Sequence, residues 1–195
     1  MIELILGGAR SGKSALAERL AAESGLAVTY IATAQAGDGE MAQRIAHHQA
    51  RRPSNWRLVE EPLHLAEALR AAAAPQRLLL VDCLTLWLSN LLFQGQAGRQ
   101  AEAGEAVDCA LLERELAALN ECLSTLPGRV ILVSNEVGLG IIPLGAVTRL
   151  YVDEAGRLNQ RIAALADRVT FVAAGLPLVL KNTPTTADYE RSPYL

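Results

Sequence analysis

The chain has 195 residues, of which 51% are hydrophobic and 20% are charged, and its formal net charge is −3. This composition predicts a globular chain with a substantial core and excludes an intrinsically disordered one. The net negative charge argues against binding to nucleic acid or to an anionic membrane, and the 4% aromatic content argues against a surface that stacks single-stranded bases.

The cysteines and the lengths of the apolar runs bear on where in the cell the protein is expected to work. Cys83, Cys109 and Cys122 have no metal-ligand spacing, and their number is odd. No signal peptide and no apolar run of transmembrane length is recognisable in the sequence. We therefore expect a protein of the reducing cytoplasm that is not inserted in a membrane.

Short apolar segments alternate with helical patterns along the chain. The predicted strands are Ile2–Leu6, Val28–Ala32, Leu78–Val81, Arg129–Ser134, Arg168–Val172 and, with a weaker pattern, Leu178–Leu180. The predicted helices are Ser14–Ser24, Gly39–Ala50, Pro62–Ala74, Leu84–Phe93, Val107–Thr125 and Asp153–Ala166. Strands rich in Val, Ile and Leu that alternate with helices predict an α/β fold with a mainly parallel sheet and helices on both faces. We expect a surface loop over residues 94–105, one domain over residues 1–181, and a polar tail over residues 182–195 without an assigned role.

The first predicted strand leads into a phosphate-binding loop. The sequence Gly7, Gly8, Ala9, Arg10, Ser11, Gly12, Lys13 and Ser14 fits the pattern G-x-x-x-x-G-K-S/T. Glycines let backbone N–H groups curl around phosphate oxygens, and the following helix adds the positive end of its dipole. Lys13 would reach the β- and γ-phosphates, and the Ser14 hydroxyl would bind Mg²⁺. A glycine turn that only caps a helix is the alternative, but it leaves Lys13 and Ser14 unexplained. The pattern therefore indicates a P-loop NTPase-like fold.

Asp82 ends the apolar strand that begins at Leu78. In P-loop proteins an acid at this place binds or orients the magnesium ion beside the phosphates. An acid after an apolar strand is also a common first residue before a helix, and Asp82 could cap the helix near Leu84. With the phosphate-binding loop upstream, we favour the metal-side role for Asp82.

The segment from Met41 to Pro53 contains two of the three histidines, His47 and His48, followed by Arg51 and Arg52. Consecutive helical residues are about 100° apart, so the two histidines cannot face one ligand in the same way, which disfavours a metal site. One interpretation is a solvated basic helix end, with its cations near the negative pole of the dipole. The other is a histidine nucleophile beside bound phosphates, with the arginines stabilising the developing charge. The residues alone favour the first interpretation.

A polar turn follows the strand that ends near Ser134. Asn135 and Glu136 begin the glycine-loosened run Ser134–Pro143, which we expect at the carboxyl edge of the sheet, where open α/β folds bind ligands. Simple turn chemistry explains the same residues equally well. Further along, a polar group on the last helix indicates either a solvated face or a subunit or substrate surface: Asp153, Arg157, Asn159, Gln160 and Arg161.

Together these motifs make the chain resemble a known family, the bifunctional adenosylcobinamide kinase / adenosylcobinamide-phosphate guanylyltransferases of cobalamin biosynthesis. The resemblance runs from Ile2 to about Lys181. The motifs that carry it are G-G-A-R-S-G-K-S at 7–14, Y-I-A-T-A at 30–34, R-I-x-x-H-x-x-x-R-P at 44–53, L-V-D-C-L-T at 80–85, N-E-V-G-L-G-I-I-P at 135–143 and G-R-L-N-Q at 156–160. The histidine motif and the N-E-V-G-x-G-I-x-P motif are far more selective than the phosphate-binding loop.

The resemblance implies two reactions. The first phosphorylates the aminopropanol hydroxyl of adenosylcobinamide with ATP or GTP, and the second transfers GMP from GTP to that phosphate through a GMP–histidine intermediate. By position in the motif the nucleophile is His48, with His47 a weaker candidate and Lys13 the P-loop cation. Beyond the phosphate-binding loop, the resemblance implies nucleotide contacts at Ala32, Thr33, Ala34, Gln49, Ala50, Arg51, Arg52, Glu60 and Asp82. Ser14 and Asp82 would hold Mg²⁺, and the resemblance implies a homo-oligomer, with a trimer as the expected state.

Two other functions fit the phosphate-binding loop. A small-molecule kinase of another pathway would not need His48, and a non-catalytic nucleotide-dependent regulatory protein would bind GTP without modifying a corrinoid. The chain has no N-K-x-D guanine-reading motif, which argues against an ordinary GTPase switch.

Overall fold

The computed structural model describes residues 1–35 and 53–183. The strands are β1 (Ile2–Gly7), β2 (Ala27–Ala32), β3 (Arg57–Glu60), β4 (Arg77–Asp82), β5 (Arg129–Asn135), β6 (Arg168–Ala173) and β7 (Leu176–Asn182). The helices are α1 (Lys13–Glu23), α2 (Leu65–Ala72), α3 (Leu84–Gln94), α4 (Ala97–Ala103), α5 (Ala110–Thr125) and α6 (Ala146–Leu165).

The strands form one sheet in the order β3-β2-β4-β5-β1-β6-β7. All neighbouring strands are parallel except β6 and β7, which form an antiparallel pair at one end of the sheet. The mainly parallel α/β sheet predicted from the alternating pattern is therefore confirmed. The carboxyl ends of β3, β2, β4, β5, β1 and β6 lie at one edge, because parallel strands share their direction.

Each central strand buries both of its faces. In β1, Leu4 and Leu6 point into the core that is formed with α2, α3, α5 and α6, whereas Ile5 points into the core that is formed with α1. Leu79 and Leu80 divide β4 between the same two cores. Burial on both sides explains why these strands read as continuous apolar runs rather than as alternating ones.

Two elements differ from the sequence prediction at the surface. The strand β3 was not predicted, because it is a short edge strand whose four residues are largely exposed and include Arg57 and Glu60. The surface loop predicted over residues 94–105 is wrong in its centre, where Ala97–Ala103 forms α4. Ala97 and Ala101 lie one helical turn apart and are buried, so small residues that looked like loop composition provide a packing face.

The last helix is also longer than its sequence pattern indicates. It begins at Ala146 rather than at Asp153. Val147, Thr148 and Val152 are β-branched and have low helix propensity, so the first two turns carry a weak local signal. The helix predicted over Gly39–Ala50 lies outside the described residues.

At the chain's end, β7 extends to Asn182, one residue into the segment predicted as a polar tail. Within residues 1–35 and 53–183, no helix combines the length and apolar character needed to cross a bilayer.

Candidate nucleotide-binding site

The described candidate residues meet at the carboxyl edge of the sheet. The phosphate-binding loop follows β1, Ala32 ends β2, Glu60 ends β3 and Asp82 ends β4. Ala32 pairs with both Glu60 and Asp82 in the sheet register. This edge is where ligands of open α/β folds bind.

The loop between β1 and α1 has the geometry of an anion cradle. Gly12, immediately before α1, adopts a left-handed conformation with φ of 98°, and Arg10 also has a positive φ of 55°. Among the described residues, no side chain caps the amino end of α1. The N–H groups of its first turn therefore keep their hydrogen-bonding capacity and the positive end of the dipole for a phosphate.

Glycine is required at two positions of this loop by close contacts. A Cβ on Gly7 would lie 2.5 Å from the carbonyl oxygen of Val172 and equally close to Ser11 Oγ. A Cβ on Gly12 would lie 3.2 Å from the Cα of Gly175 in the β6–β7 turn. The neighbouring turn thus packs directly against the phosphate-binding loop.

Lys13 is folded back into the loop that precedes it. Its Nζ donates to the carbonyl oxygen of Gly8 at 3.0 Å, and the residue is only 8% exposed. Burial lowers the pKa of Lys13, and the nearby negative charge of Asp82 opposes part of that shift. The ammonium group is therefore held beside the loop at a cost in hydration, which a bound polyphosphate would offset.

Asp82 is oriented by a neighbouring strand rather than by the following helix. Its Oδ2 accepts a hydrogen bond from the hydroxyl of Tyr30 at 3.1 Å. The residue before α3 is Cys83, and no side chain caps that helix, so the capping role considered for Asp82 is not realised. The Asp82–Cys83 peptide bond is cis.

The oxygen donors at this edge fit a magnesium ion. Asp82 supplies a carboxylate and Ser14, in the first turn of α1, supplies a hydroxyl. In the part of the chain that the structure describes, no three His, Cys, Asp or Glu side chains converge on one point. Mg²⁺ typically takes only one or two protein ligands and completes its shell with waters and substrate phosphates. A carboxylate and a hydroxyl are sufficient for that arrangement.

Thr33 joins β2 to the segment after β4. Its Oγ1 donates to the carbonyl oxygen of Cys83 at 2.7 Å and accepts from the Cys83 N–H at 2.9 Å. The carbonyl oxygen of Thr33 accepts from Asn90 Nδ2 at 2.8 Å. These bonds fix the residue after Asp82 from both sides. The polar atoms of the Thr33 side chain are thus engaged within the chain, and its nucleotide contact stays a prediction, as do those of Ala32, Ala34 and Glu60.

A buried polar network beside Asp82 was not predicted from the sequence. Asn135 Nδ2 donates to Thr85 Oγ1 at 2.6 Å, and Thr85 Oγ1 lies 3.2 Å from Cys83 Sγ. The carbonyl oxygen of Asn135 accepts from Asn159 Nδ2 at 3.2 Å, and Asn159 Oδ1 accepts from Ser134 Oγ at 2.7 Å. Apart from Ser134, the residues of this network belong to the motifs at 80–85, 135–143 and 156–160, but nothing in the sequence indicates that the three motifs touch.

The polar residues of α6 therefore separate into different classes. Asn159 is buried and belongs to the network at the sheet edge. Arg157 forms an ion pair with Glu154 on the same helix. The other three are exposed: Asp153, Gln160 and Arg161. Asn159 therefore departs from the solvated, subunit or substrate surface considered from the sequence, whereas the other four residues are exposed as that interpretation expects.

The remaining candidates fall outside the described residues. These are the nucleophile candidates His48 and His47 and the predicted nucleotide contacts Gln49, Ala50, Arg51 and Arg52.

Solved structures of low sequence similarity share this fold. A prototypical ATPase from the type III secretion system of pathogenic bacteria aligns with a TM-score of 0.55 at 11% identity, covering 97% of this chain and 60% of that one. The assembled ATPase EscN from the enteropathogenic E. coli type III secretion system aligns with a TM-score of 0.53 at 13% identity, covering 97% of this chain and 50% of that one. These likenesses confirm the P-loop NTPase-like fold.

The sequence comparisons are more specific. The chain is 63% identical over 184 residues to the "Bifunctional adenosylcobalamin biosynthesis protein CobP" of Pseudomonas aeruginosa, covering 94% of this chain and 99% of that protein. It is 43% identical to the "Bifunctional adenosylcobalamin biosynthesis protein CobU" of Salmonella typhimurium, covering 93% of this chain and 100% of that protein. The family model described as "CobU: Cobinamide kinase / cobinamide phosphate guanyltransferase" matches residues 3–180. The chain therefore belongs to the cobinamide kinase / cobinamide phosphate guanyltransferase family.

Proposed function

We propose that this protein phosphorylates the aminopropanol hydroxyl of adenosylcobinamide with ATP or GTP, and then transfers GMP from GTP to the phosphate it has made. The products of the second step are adenosylcobinamide-GDP and pyrophosphate. The observation that carries the proposal is the phosphate-binding loop, with Lys13 buried against Gly8, inside a family match that spans residues 3–180. We further infer one domain over residues 1–181, since one sheet includes strands from Ile2 to Asn182. A cytoplasmic location stays a prediction from the sequence.

In this proposal the loop residues Gly7 to Ser14 hold the triphosphate. The uncapped N–H groups of α1 bind phosphate oxygens, and Lys13 leaves the carbonyl oxygen of Gly8 to meet the β- and γ-phosphates. Ser14 and Asp82 would hold Mg²⁺, and the ion would supply positive charge that stabilises the phosphates and the departing group. The oriented carboxylate of Asp82 supports this assignment.

The guanylyl transfer is assigned to His48 on its place in the family motif. A neutral imidazole nitrogen attacks the α-phosphorus of GTP, and the electron pair of the broken bond leaves with pyrophosphate. Arg51 and Arg52 stabilise the charge that develops on the phosphates. The nucleotide contacts proposed with them are Gln49, Ala50, Glu60, Ala32, Thr33 and Ala34.

Labelling with α-³²P-GTP tests the proposal directly. We expect a phosphoramidate label on the protein that is stable to alkali and labile to acid, and that is discharged by adenosylcobinamide-phosphate. His48→Ala should abolish the label, whereas the matched control His47→Ala should largely keep it. Label that persists in His48→Ala would overturn the assignment of the nucleophile.

The same assay distinguishes the proposed function from the two alternatives, a kinase of another pathway and a regulatory protein. A kinase of another pathway would transfer the γ-phosphate without forming the label, and adenosylcobinamide would not be its acceptor. A regulatory protein would bind GTP and would give neither the label nor a phosphorylated corrinoid.

We also propose that the protein is a homo-oligomer, with a trimer suggested by the family resemblance. Support comes from an exposed apolar loop between β5 and α6, in which Ile141 is 96% and Leu144 is 98% exposed, beside Leu139 and Ile142. Contiguous apolar surface of this kind usually marks an interface. The loop starts at Glu136, whose N–H donates to the carbonyl oxygen of Gly7 at 3.1 Å, so an interface there would adjoin the phosphate-binding loop.

Sedimentation velocity tests this oligomer. The wild-type protein should sediment as a trimer, and Ile141→Asp combined with Leu144→Asp should shift it toward a monomer. Val107→Asp, which places the same charge on an exposed apolar residue elsewhere, should leave the trimer intact. A monomeric wild-type protein would contradict the proposal.

A further inference from the structure

Asn135 occupies a position between the two parts of the candidate site. It ends β5, the strand that separates β1, which carries the phosphate-binding loop, from β4, which carries Asp82. Asn135 pairs with Gly7 in the register of β1 and β5. Because neighbouring strands are about 4.8 Å apart, the phosphate-binding loop and Asp82 stand on strands about 10 Å apart, with β5 between them. Asn135 is two residues beyond Val133, the residue that pairs with Asp82.

Both the side chain and the backbone of Asn135 are held in place. Nδ2 donates to Oγ1 of the buried Thr85 at 2.6 Å, and the backbone carbonyl oxygen accepts from the buried Asn159 at 3.2 Å. Asn159 is in turn fixed by Ser134 Oγ at 2.7 Å. A short side chain that is fixed at both ends presents its remaining atoms in one direction, which suits a residue that orients a ligand.

The side-chain oxygen of Asn135 is available. Within residues 1–35 and 53–183, no group donates a hydrogen bond to Oδ1. An amide oxygen accepts hydrogen bonds and donates none, so phosphate oxygens, which are also acceptors, cannot pair with it. A hydroxyl group can.

We propose that Oδ1 of Asn135 accepts a hydrogen bond from the attacking hydroxyl of the substrate in the kinase step and so directs its lone pair at the γ-phosphorus. This inference rests on the proposed function and adds a residue that acts in only one of the two reactions. The guanylyl transfer has its nucleophile on His48 and its reacting phosphorus at the α position, so it has no substrate hydroxyl for Asn135 to orient.

In phosphoryl transfer, a hydrogen bond that orients the attacking hydroxyl is sufficient for catalysis, and a strong base is not needed. The substrate oxygen forms a bond to the γ-phosphorus, the bond from that phosphorus to the β,γ-bridging oxygen breaks, and its electron pair leaves on the nucleoside diphosphate. The hydroxyl proton stays in the hydrogen bond to Oδ1 until the new bond has formed and then passes to an oxygen of the transferred phosphoryl group. Positioning rather than a strong base carries most of the catalysis, because the transition state is loose.

The adjacent acid is less suited to this role. Glu136 Oε1 accepts from the backbone N–H of Gly138 at 2.7 Å, which turns the carboxylate back onto its own loop. Asp82 is engaged by Tyr30 and is assigned to the metal side. Among the described polar residues Asn135, Glu136 and Asp82, it is Asn135 that combines a fixed direction with an available acceptor.

The test compares two rates in the same variants. The first is the steady-state phosphorylation of adenosylcobinamide, with kcat and KM determined separately; the second is the rate of label formation from α-³²P-GTP. Asn135→Ala should lower the kinase kcat by about 100-fold, the usual effect of misplacing a reacting group, and should leave the labelling rate within about threefold. Thr85→Val, which removes only the hydroxyl that orients Asn135, should lower the kinase kcat by about tenfold and also spare the labelling.

Asn120→Ala is the matched control. Asn120 carries the same amide on α5, its buried Oδ1 has no partner within the described residues, and both rates should remain at the wild-type level. Melting temperatures show that each variant is folded, and Thr85→Val keeps the test informative if Asn135→Ala is unstable.

An unchanged kinase kcat in Asn135→Ala would overturn the proposal. An equal loss of both rates would also overturn it, because it would indicate a contact to metal-bound water or a general loss of structure. Failure of the wild-type protein to phosphorylate adenosylcobinamide would instead refute the proposed function.

Discussion

The backbone N–H of Gly175 donates to the carbonyl oxygen of Ser11 at 2.8 Å. This bond ties the turn between β6 and β7 to the phosphate-binding loop. Gly175 itself has a positive φ of 79°, and its Cα faces Gly12. The antiparallel strand pair at the end of the sheet thus supports the loop that is expected to bind phosphate.

This contact makes Gly12 sensitive to substitution. Gly12→Ala should lower the free energy of unfolding by about 1–3 kcal/mol, because alanine is strained at a φ of 98° and its Cβ would approach Gly175. It should also weaken binding of a fluorescent GTP analogue, since the loop must shift. Gly8→Ala is the control for stability, as a Cβ at Gly8 meets no atom within 4 Å. Equal urea denaturation midpoints for the two variants would contradict the role assigned to the turn.

Nucleotide binding should take up a proton at alkaline pH. Burial places the pKa of Lys13 below its ordinary value of 10.5, so part of the free protein has lost this proton between the lowered pKa and 10.5. Triphosphate charges favour the ammonium form and raise the pKa again. Calorimetric titrations just below pH 10.5 in two buffers of different ionisation enthalpy measure the uptake. Titrations at successively lower pH serve as the control, and the uptake should decline along that series; proton release at the alkaline pH would contradict the burial of this ammonium group.

The lowered pKa of Lys13 also determines how its contribution to the free energy of unfolding changes with pH. In that pH range the unfolded chain binds more protons at Lys13 than the folded chain does. The contribution of Lys13 to the free energy of unfolding therefore rises as the pH rises through the lowered pKa toward 10.5.

The cysteines should react at different rates. Burial raises the pKa of Cys83 to about 11, and the negative charge of Asp82 adds to the shift, so Cys83 stays a thiol at neutral pH. Cys122 is also buried, whereas Cys109 is half-buried. We expect Ellman's reagent to modify Cys109 first in the native protein and to modify all three cysteines in guanidinium chloride. Rapid native modification that persists in Cys109→Ser would show that Cys83 or Cys122 is more accessible than the structure indicates.

Glu3 should matter for stability and not for catalysis. It is buried near the amino end of β1, and the phosphate-binding loop follows the carboxyl end of the same strand. The Glu3 carboxylate contacts the guanidinium groups of Arg129 at 3.0 Å and Arg168 at 3.5 Å. Glu3→Gln should cost about 2 kcal/mol, because it leaves two partly buried guanidinium groups without their carboxylate.

An exposed pair provides the comparison for Glu3. Glu121 lies 3.7 Å from Arg70 on the surface, and Glu121→Gln should change the free energy of unfolding by less than about 0.5 kcal/mol. Urea denaturation measures both variants, and the labelling assay should give wild-type rates for both. A stability loss in Glu3→Gln no larger than that in Glu121→Gln would show that the buried cluster contributes little.

The sequence predicted those helices and strands whose own residues carry a clear apolar pattern or a glycine motif. It predicted the bounds of the buried strands β1, β4 and β5, and of the strand–loop–helix around Lys13, within a residue or two. The apolar runs and glycines that define these elements lie within a few neighbouring residues, so the local sequence is enough to recognise them. The edge strand β3, the alanine-packed helix α4 and the first turns of α6 were not predicted, since their formation depends on partners elsewhere in the fold.

The sequence by itself determined the α/β class, the phosphate-binding loop and the family, because each depends on residue types at short fixed spacing. Only the tertiary structure decided that β5 lies between β1 and β4, since the order of strands in a sheet leaves no mark on a strand's own residues. That order places Asn135, at the end of β5, beside the phosphate-binding loop and brings it to Thr85, three residues after Asp82. Three motifs far apart along the chain thereby become one polar network at the edge where a nucleotide would bind.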